Sequence, residues 1–290
     1  MFCNWKHAVN TIPQLNEVLS NTHHNCLELD ITWNPFHHQS VVRHAPLSLR
    51  LLSKEITPAT WIQHLKASMW LQRSYPKVIK FDFKHQSSVR PSIETMLKTH
   101  FYNIPHLTIW LNADILSGPG YPLLTPLDPH TFINDAQRVP NATLSLGWTT
   151  GFNTYRRDRY HYTQKMVDHM CNLTAYLKQP VTFAIRASLI RNSWNELKRL
   201  VYPNHSHSRT ISVWTGNEGV PSRDLVWMKL QGITTFDVAK GSKDDWQSPN
   251  RYITTWILVY FGYVCILLAC LYYKLLYTPT YYLMSHKTFQ

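Results

Sequence analysis

Along the first 240 residues, short β-rich runs alternate with stretches whose apolar positions recur at helical spacing. Strands are predicted at 5–9, 26–31, 78–83, 107–112, 143–146, 181–185, 211–214 and 233–238. Helices are predicted at 12–20, 59–72, 89–99, 130–137, 163–176, 193–201 and 223–230, with Ser193 and Ser222 placed to cap the last two. Eight strands separated by helices argue for parallel βα units joined by right-handed crossovers. Their even spacing favours closure into one (β/α)8 barrel of the TIM type over residues 4–240, rather than an open doubly wound sheet. Residues 33–57 and the Pro- and Gly-rich 118–129 read as long loops after strands, where such barrels keep their sites.

Two of the strand-like runs alternate apolar with charged residues. In Lys80-Phe81-Asp82-Phe83-Lys84 the period of two puts Lys80, Asp82 and Lys84 on one face. Leu27-Glu28-Leu29-Asp30-Ile31 does the same for Glu28 and Asp30. Charges point into a packed interior only when they pair, bind metal or do chemistry. Three carboxylates, Glu28, Asp30 and Asp82, suit Mg²⁺ or Ca²⁺ better than a softer ion. His7 and His44 follow strand-like runs and are candidate base and acid, and Lys84 is a candidate stabiliser of developing negative charge. The bland readings are common: a lone Glu-x-Asp is more often a surface pair, and a single histidine more often structural. Asn112 and Asp114 share a strand face and either line a pocket or cap the strand end. Arg186 follows the sixth run and serves either a phosphate or a salt bridge. Trp148 and Trp214 end strands and either stack on a ligand or pack in the core.

The motifs Trp5-Lys6-His7-Ala8-Val9-Asn10, Leu27-Glu28-Leu29-Asp30, His44-Ala45-Pro46 and Lys80-Phe81-Asp82-Phe83-Lys84 resemble, in order, those of the menorin family. So do Leu111-Asn112-Ala113-Asp114-Ile115-Leu116, Leu146-Gly147-Trp148-Thr149-Thr150 and Val213-Trp214-Thr215, so the resemblance covers nearly all of residues 5–238. Menorin-like domains in turn look like the phosphodiesterase barrels of the glycerophosphodiesterase group and the spider-venom phospholipase D toxins. That resemblance implies a phosphodiester substrate and a Mg²⁺-like ion. It also implies catalytic His7, His44 and Lys84 and metal ligands Glu28, Asp30 and Asp82; Lys80, Asn112, Asp114, Trp148, Arg186 and Trp214 are the candidate residues around the substrate on their own placement. Two departures stand out: His44 lies in an Ala-Pro context, and Lys80 adds a cation beside the ion. The alternative is a binding or adhesion protein with a protein partner, which keeps the barrel and turns nothing over.

The 290-residue length leaves about 240 residues for the barrel, and 44% hydrophobic residues supply its core. A net charge of +12 favours anionic partners such as phosphoesters or acidic membrane surfaces. The basic residues are scattered, with no Lys/Arg run, which argues against nucleic acid. Cys265 and Cys270 lie in an apolar stretch, and Cys3, Cys26 and Cys171 form no C-x-x-C and no even framework. This argues against a disulfide-built fold and a structural zinc site. Residues 241–251 read as a linker and 274–290 as a short polar tail. Between them, 252–273 is a charge-free run of 22 residues bracketed by Arg251 and Lys274, long enough to span a bilayer core of ~30 Å. Met1–His7 has no basic region followed by an apolar run, so no signal peptide is read. The expectation is a single-pass membrane protein, with its barrel cytosolic if the chain is complete and extracellular or lumenal if Met1 is a truncated start. The three sequons at Asn141, Asn172 and Asn204 are about what chance gives in such a composition.

Overall fold

The computed structural model describes residues 3–238 apart from 22, 45–54, 73–75, 121, 123, 152–159, 202–207 and 217–218. Eight parallel strands form one sheet in the order β1 (Trp5–Lys6), β2 (Cys26–Asn34), β4 (Val78–Phe83), β5 (Thr108–Ser117), β6 (Thr143–Thr149), β7 (Val181–Arg186), β8 (Arg209–Trp214) and β9 (Thr235–Asp237). The ninth strand, β3 (Gln39–Val42), pairs antiparallel with the end of β2. The helices are α1 (Ile12–Ser20), α2 (Pro58–Gln72), α3 (Val89–Lys98), α4 (Pro129–Ala136), α5 (Gln164–Thr174), α6 (Ala187–Leu197) and α7 (Ser222–Leu230). The result is a nearly closed parallel barrel: among the described residues no ladder joins β1 to β9.

Alternation along each strand assigns the two faces. Leu27, Leu29 and Ile31 of β2 and Ile79, Phe81 and Phe83 of β4 are buried with helix residues such as Trp61, Ile93 and Phe132. The intervening Glu28, Asp30, Lys80 and Asp82 are thereby turned to the barrel interior. Register pairs Glu28 with Lys80, Asp30 with Asp82, and Asp82 with Asn112, so the polar positions of β2, β4 and β5 lie side by side. At the N-terminal ends of the strands Trp5, Cys26, Val78 and Trp110 form a separate apolar cluster.

The segment read as one long loop after the second strand contains a hairpin, because β2 runs on to Asn34 and returns as β3. The first strand is shorter than predicted: Ala8 adopts φ +52° and turns the chain after Lys6. Helix α6 starts at Ala187, directly after β7, six residues earlier than expected. Ser193 is therefore no cap: inside α6, its hydroxyl donates to Leu189 O and accepts from Tyr162 N–H. Ser222 is the first residue of α7 and follows the N-cap Pro221, which makes no side-chain cap hydrogen bond. Cys3 and Cys26 form a single disulfide, a pair that the absence of an even cysteine framework did not lead one to expect. The predicted membrane span at 252–273 lies outside the described residues. Among the described residues no helix is long and apolar enough to cross a membrane.

Candidate functional site

Residues from all eight parallel strands surround a cavity of about 170 Å³ that opens at the C-terminal ends of the strands. His7, Glu28, Lys80, Asp82, Lys84, Asn112, Asp114 and Trp214 line it, together with Ser145, Ser212, Thr215 and Asp237. Eight of the twelve residues expected from the sequence thus meet at one mouth.

Two ion-pair groups organise it. In the first, His7 Nδ1 lies 2.7 Å from Glu28 Oε2, and His7 Nε2 pairs with Asp237 Oδ1. Lys80 Nζ donates to the same two acids, at 2.8 Å to Glu28 Oε2 and 2.6 Å to Asp237 Oδ2. It also lies 4.7 Å above the Trp5 ring, a favourable cation–π placement. In the second group, Lys84 Nζ donates to Asp82 Oδ2 at 2.5 Å and lies 3.3 Å from Asp30 Oδ1. Asn112 Nδ2 donates to Asp82 Oδ1 at 2.8 Å, and the Ser145 hydroxyl donates to Asn112 Oδ1 at 2.6 Å. Asp30 does not line the cavity. It is buried, and Asn10 holds it twice: Asn10 Nδ2 donates to Asp30 Oδ2 at 2.8 Å, and the Asp30 N–H donates to Asn10 Oδ1 at 2.9 Å. The left-handed Ala8 brings this about, for it bends the chain so that Val9 N–H reaches Glu28 O and Asn10 faces β2.

The electrostatics follow from this pairing. Burial alone would lower the His7 pKa, but hydrogen bonds to Asp237 and Glu28 raise it to about 10, so the imidazolium persists at neutral pH. Burial would raise Glu28, yet Lys80 and His7 hold it well below the ordinary carboxylate range. Lys80 and Lys84 are both raised: burial disfavours their charge, but their flanking carboxylates outweigh it. Asp82 is raised by burial and by repulsion from Glu28 and Asp30, against the attraction of Lys84. Asp114 is different. Among the described residues no side chain donates to its carboxylate, and burial, with Asp82 nearby, pushes it up to about 6. Its Oδ1 fills the space that a Cβ would need at position 147, which explains the glycine there.

Five carboxylates therefore face two lysines and one imidazolium, which leaves negative charge over when Asp114 is ionised. Glu28, Asp30 and Asp82 each offer an oxygen within 4.8 Å of the others, and so do His7, Glu28 and Asp237 in their ring and carboxylate atoms. The first set consists of oxygens only and fits a hard divalent cation.

Four expected residues stand elsewhere. His44 is exposed after β3, one residue beyond Arg43, whose N–H donates to Asp30 O, and it does not line the cavity. Trp148 is buried against Tyr162, at 5.2 Å between ring centroids, and packs in the core. Arg186 donates to Thr150 Oγ1 and Gly151 O, both at 3.1 Å, and lies 5.5 Å from the Trp214 ring. It therefore holds the loop after β6 and stacks on a wall of the cavity. Asp30 acts through Lys84 and Asn10. Conversely, the cluster includes Asp237, Asn10 and Ser145, which are not among the candidates that the sequence offers. Asp237 had a signal: with Thr235 it forms an i, i+2 polar pair on the last strand, the same alternation that marks Glu28 and Asp30.

A family model for the Menorin N-terminal domain matches residues 2–235. Protein FAM151B of Homo sapiens is 32% identical over 234 residues, which covers 78% of this chain and 77% of the human protein. The family match runs from β1 to the start of β9 and takes in every charged residue of the mouth except Asp237, and the chain belongs to the menorin family.

Proposed function

We propose that the chain is a metal-dependent, phosphodiesterase- or phospholipase-like barrel protein that acts on a phosphodiester or lipid head group. In this reading 252–273 tethers it to a membrane. The observation that carries the reading is the convergence of Glu28, Asp30 and Asp82 oxygens within 4.8 Å, with His7 on Glu28 and Lys84 on Asp82. These three would hold Mg²⁺ or Ca²⁺, and such an ion supplies charge neutralisation for a bound phosphate. His7, half exposed at the rim, exchanges a proton with the attacking or leaving oxygen. Lys84 meets negative charge that develops on the phosphate. Lys80 keeps Glu28 and Asp237 from repelling each other, and Asn112 and Ser145 fix the orientation of Asp82.

One observation favours a second reading, a binding protein without turnover. His44 stands outside the cavity, so the second proton-transfer group implied by the resemblance is absent from the mouth. Purified full-length protein, assayed with Mg²⁺, Ca²⁺ or chelator against glycerophosphodiesters and lysophospholipids, separates the two. Ion-dependent turnover that Asp30→Asn abolishes, with an unchanged circular dichroism spectrum, supports the first reading. Retained turnover in that variant removes the ion, and ion-dependent binding without turnover leaves the second reading. Release of the full chain from membranes by carbonate would remove the tether.

A further inference from the structure

The N-terminal ends of the strands, opposite the mouth, carry features that the charged cluster does not use. Cys3 and Cys26 are bonded across a separation of 23 residues, with Cα atoms 5.5 Å apart, and Cys26 is fully buried beside Trp5, Val78 and Trp110. Cys171 is a free thiol. Disulfides persist in oxidising compartments and are rare where glutathione keeps thiols reduced.

Two sequon asparagines sit at the same end of the barrel. Asn141 is exposed, lies two residues before β6 and adopts φ +59° in a turn. Asn172 is exposed in the last turn of α5, just ahead of the connection to β7. The two connections touch, because Gln179 Nε2 donates to Val139 O at 2.7 Å. Arg209, the first residue of β8, donates to Thr174 O at 2.5 Å, which fixes the end of α5 at the N-terminal face of the strands. The two sequons fall on neighbouring connections at the end with the disulfide and away from the mouth. The third, Asn204, lies outside the described residues.

We propose that the barrel matures in an oxidising, glycosylating secretory compartment, with N-linked glycans on Asn141 and Asn172 covering the face opposite the mouth. In the first step the two thiols lose two protons and two electrons to the disulfide of a thiol oxidoreductase, which leaves as a dithiol. In the second, each Asn Nδ2 bonds to the anomeric carbon of a lipid-linked oligosaccharide. The carbon–oxygen bond to the lipid pyrophosphate breaks, and the amide proton leaves with the pyrophosphate. Both acceptors are exposed, and glycans there leave the entrance around His7 clear.

The test uses the full chain immunoprecipitated from cells that express it from its own gene. Peptide N-glycosidase in ¹⁸O-water should increase gel mobility by two glycan steps and convert residues 141 and 172 to labelled aspartate. Alkylation under denaturing conditions should mark Cys171 at once, and Cys3 and Cys26 only after reduction. Asn141→Gly, which tolerates the left-handed backbone, and Asn172→Gln should each remove one step. An unmodified asparagine at either position overturns the proposal, as does alkylation of Cys3 and Cys26 without reductant.

Discussion

Replacing Asp114 with asparagine should stabilise the ion-free protein, with a gain that sets in above about pH 4 and is complete above about pH 6. The Asp114 carboxyl faces the cavity beside Asp82, no described side chain donates to it, and its pKa is pushed up from 3.8 to about 6. An acid that holds its proton more tightly in the folded state contributes stability at low pH. That contribution is lost as pH rises from the unfolded value through the folded one. The difference, about two pH units at ~1.4 kcal/mol each, sets an upper limit of about 3 kcal/mol. Asp114 is partly open to the cavity, so solvent reduces this to about 1–3 kcal/mol. The asparagine side chain never ionises and escapes this cost. Thermal unfolding in chelator should therefore show nearly equal midpoints for the two proteins at pH 4. Above pH 7 the variant should lie higher by roughly 2–4 °C per kcal/mol. A gain of the same size at both pH values would mean that the effect is packing and not charge. A loss above pH 7 would mean that Asp114 is paired in solution.

Lys80→Met leaves Glu28 and Asp237 buried and facing each other, and urea unfolding should show a loss of about 3–5 kcal/mol. Gly147→Ala overlaps Asp114 Oδ1 and should cost about 1–3 kcal/mol. A double-mutant cycle with Asp114→Ala should recover most of that loss, and additive losses would place Asp114 elsewhere. Cys3→Ser opens a loop closed across 23 residues and should cost about 3 kcal/mol on the chain-entropy estimate, read from unfolding of the oxidised wild type against the variant.

The parts legible in the sequence are those set by strand alternation. The run 78–83 is β4 with the predicted limits, and its register with β2 sets Glu28 beside Lys80 and Asp30 beside Asp82, with Lys84 reaching both aspartates. The illegible parts lack a local signal. Strand β3 is four residues long and gains its stability from pairing with β2, so nothing in Gln39–Val42 announces it. Helix α6 has no capping side chain, and Ala187 follows β7 without a turn residue, so no start was visible before Ser193. Asp237 is the exception, for it carries the alternation, but its partners His7 and Lys80 are more than 150 residues away in the chain and nothing local points to them. The strand-end place of Trp148 fits a ligand or the core alike, and the Tyr162 ring, from the segment before α5, claims it for the core. The pairing of Cys3 with Cys26 follows from the parallel register of Trp5 on Cys26, which spacing alone does not reveal.

The seam between β1 and β9 has a consequence for how natural variation in this chain is read. No described backbone ladder bridges the seam, and the bridge is made by His7 and Lys80 reaching Asp237. An inherited substitution at 237 would lower protein abundance and empty the mouth of a charge in a single event. Clinical or genetic scoring that sorts variants into those that unfold and those that inactivate has no separate bin for it. Only a rescue experiment that restores abundance without restoring the carboxylate, such as a compensating change elsewhere in the core, would tell the two deficits apart.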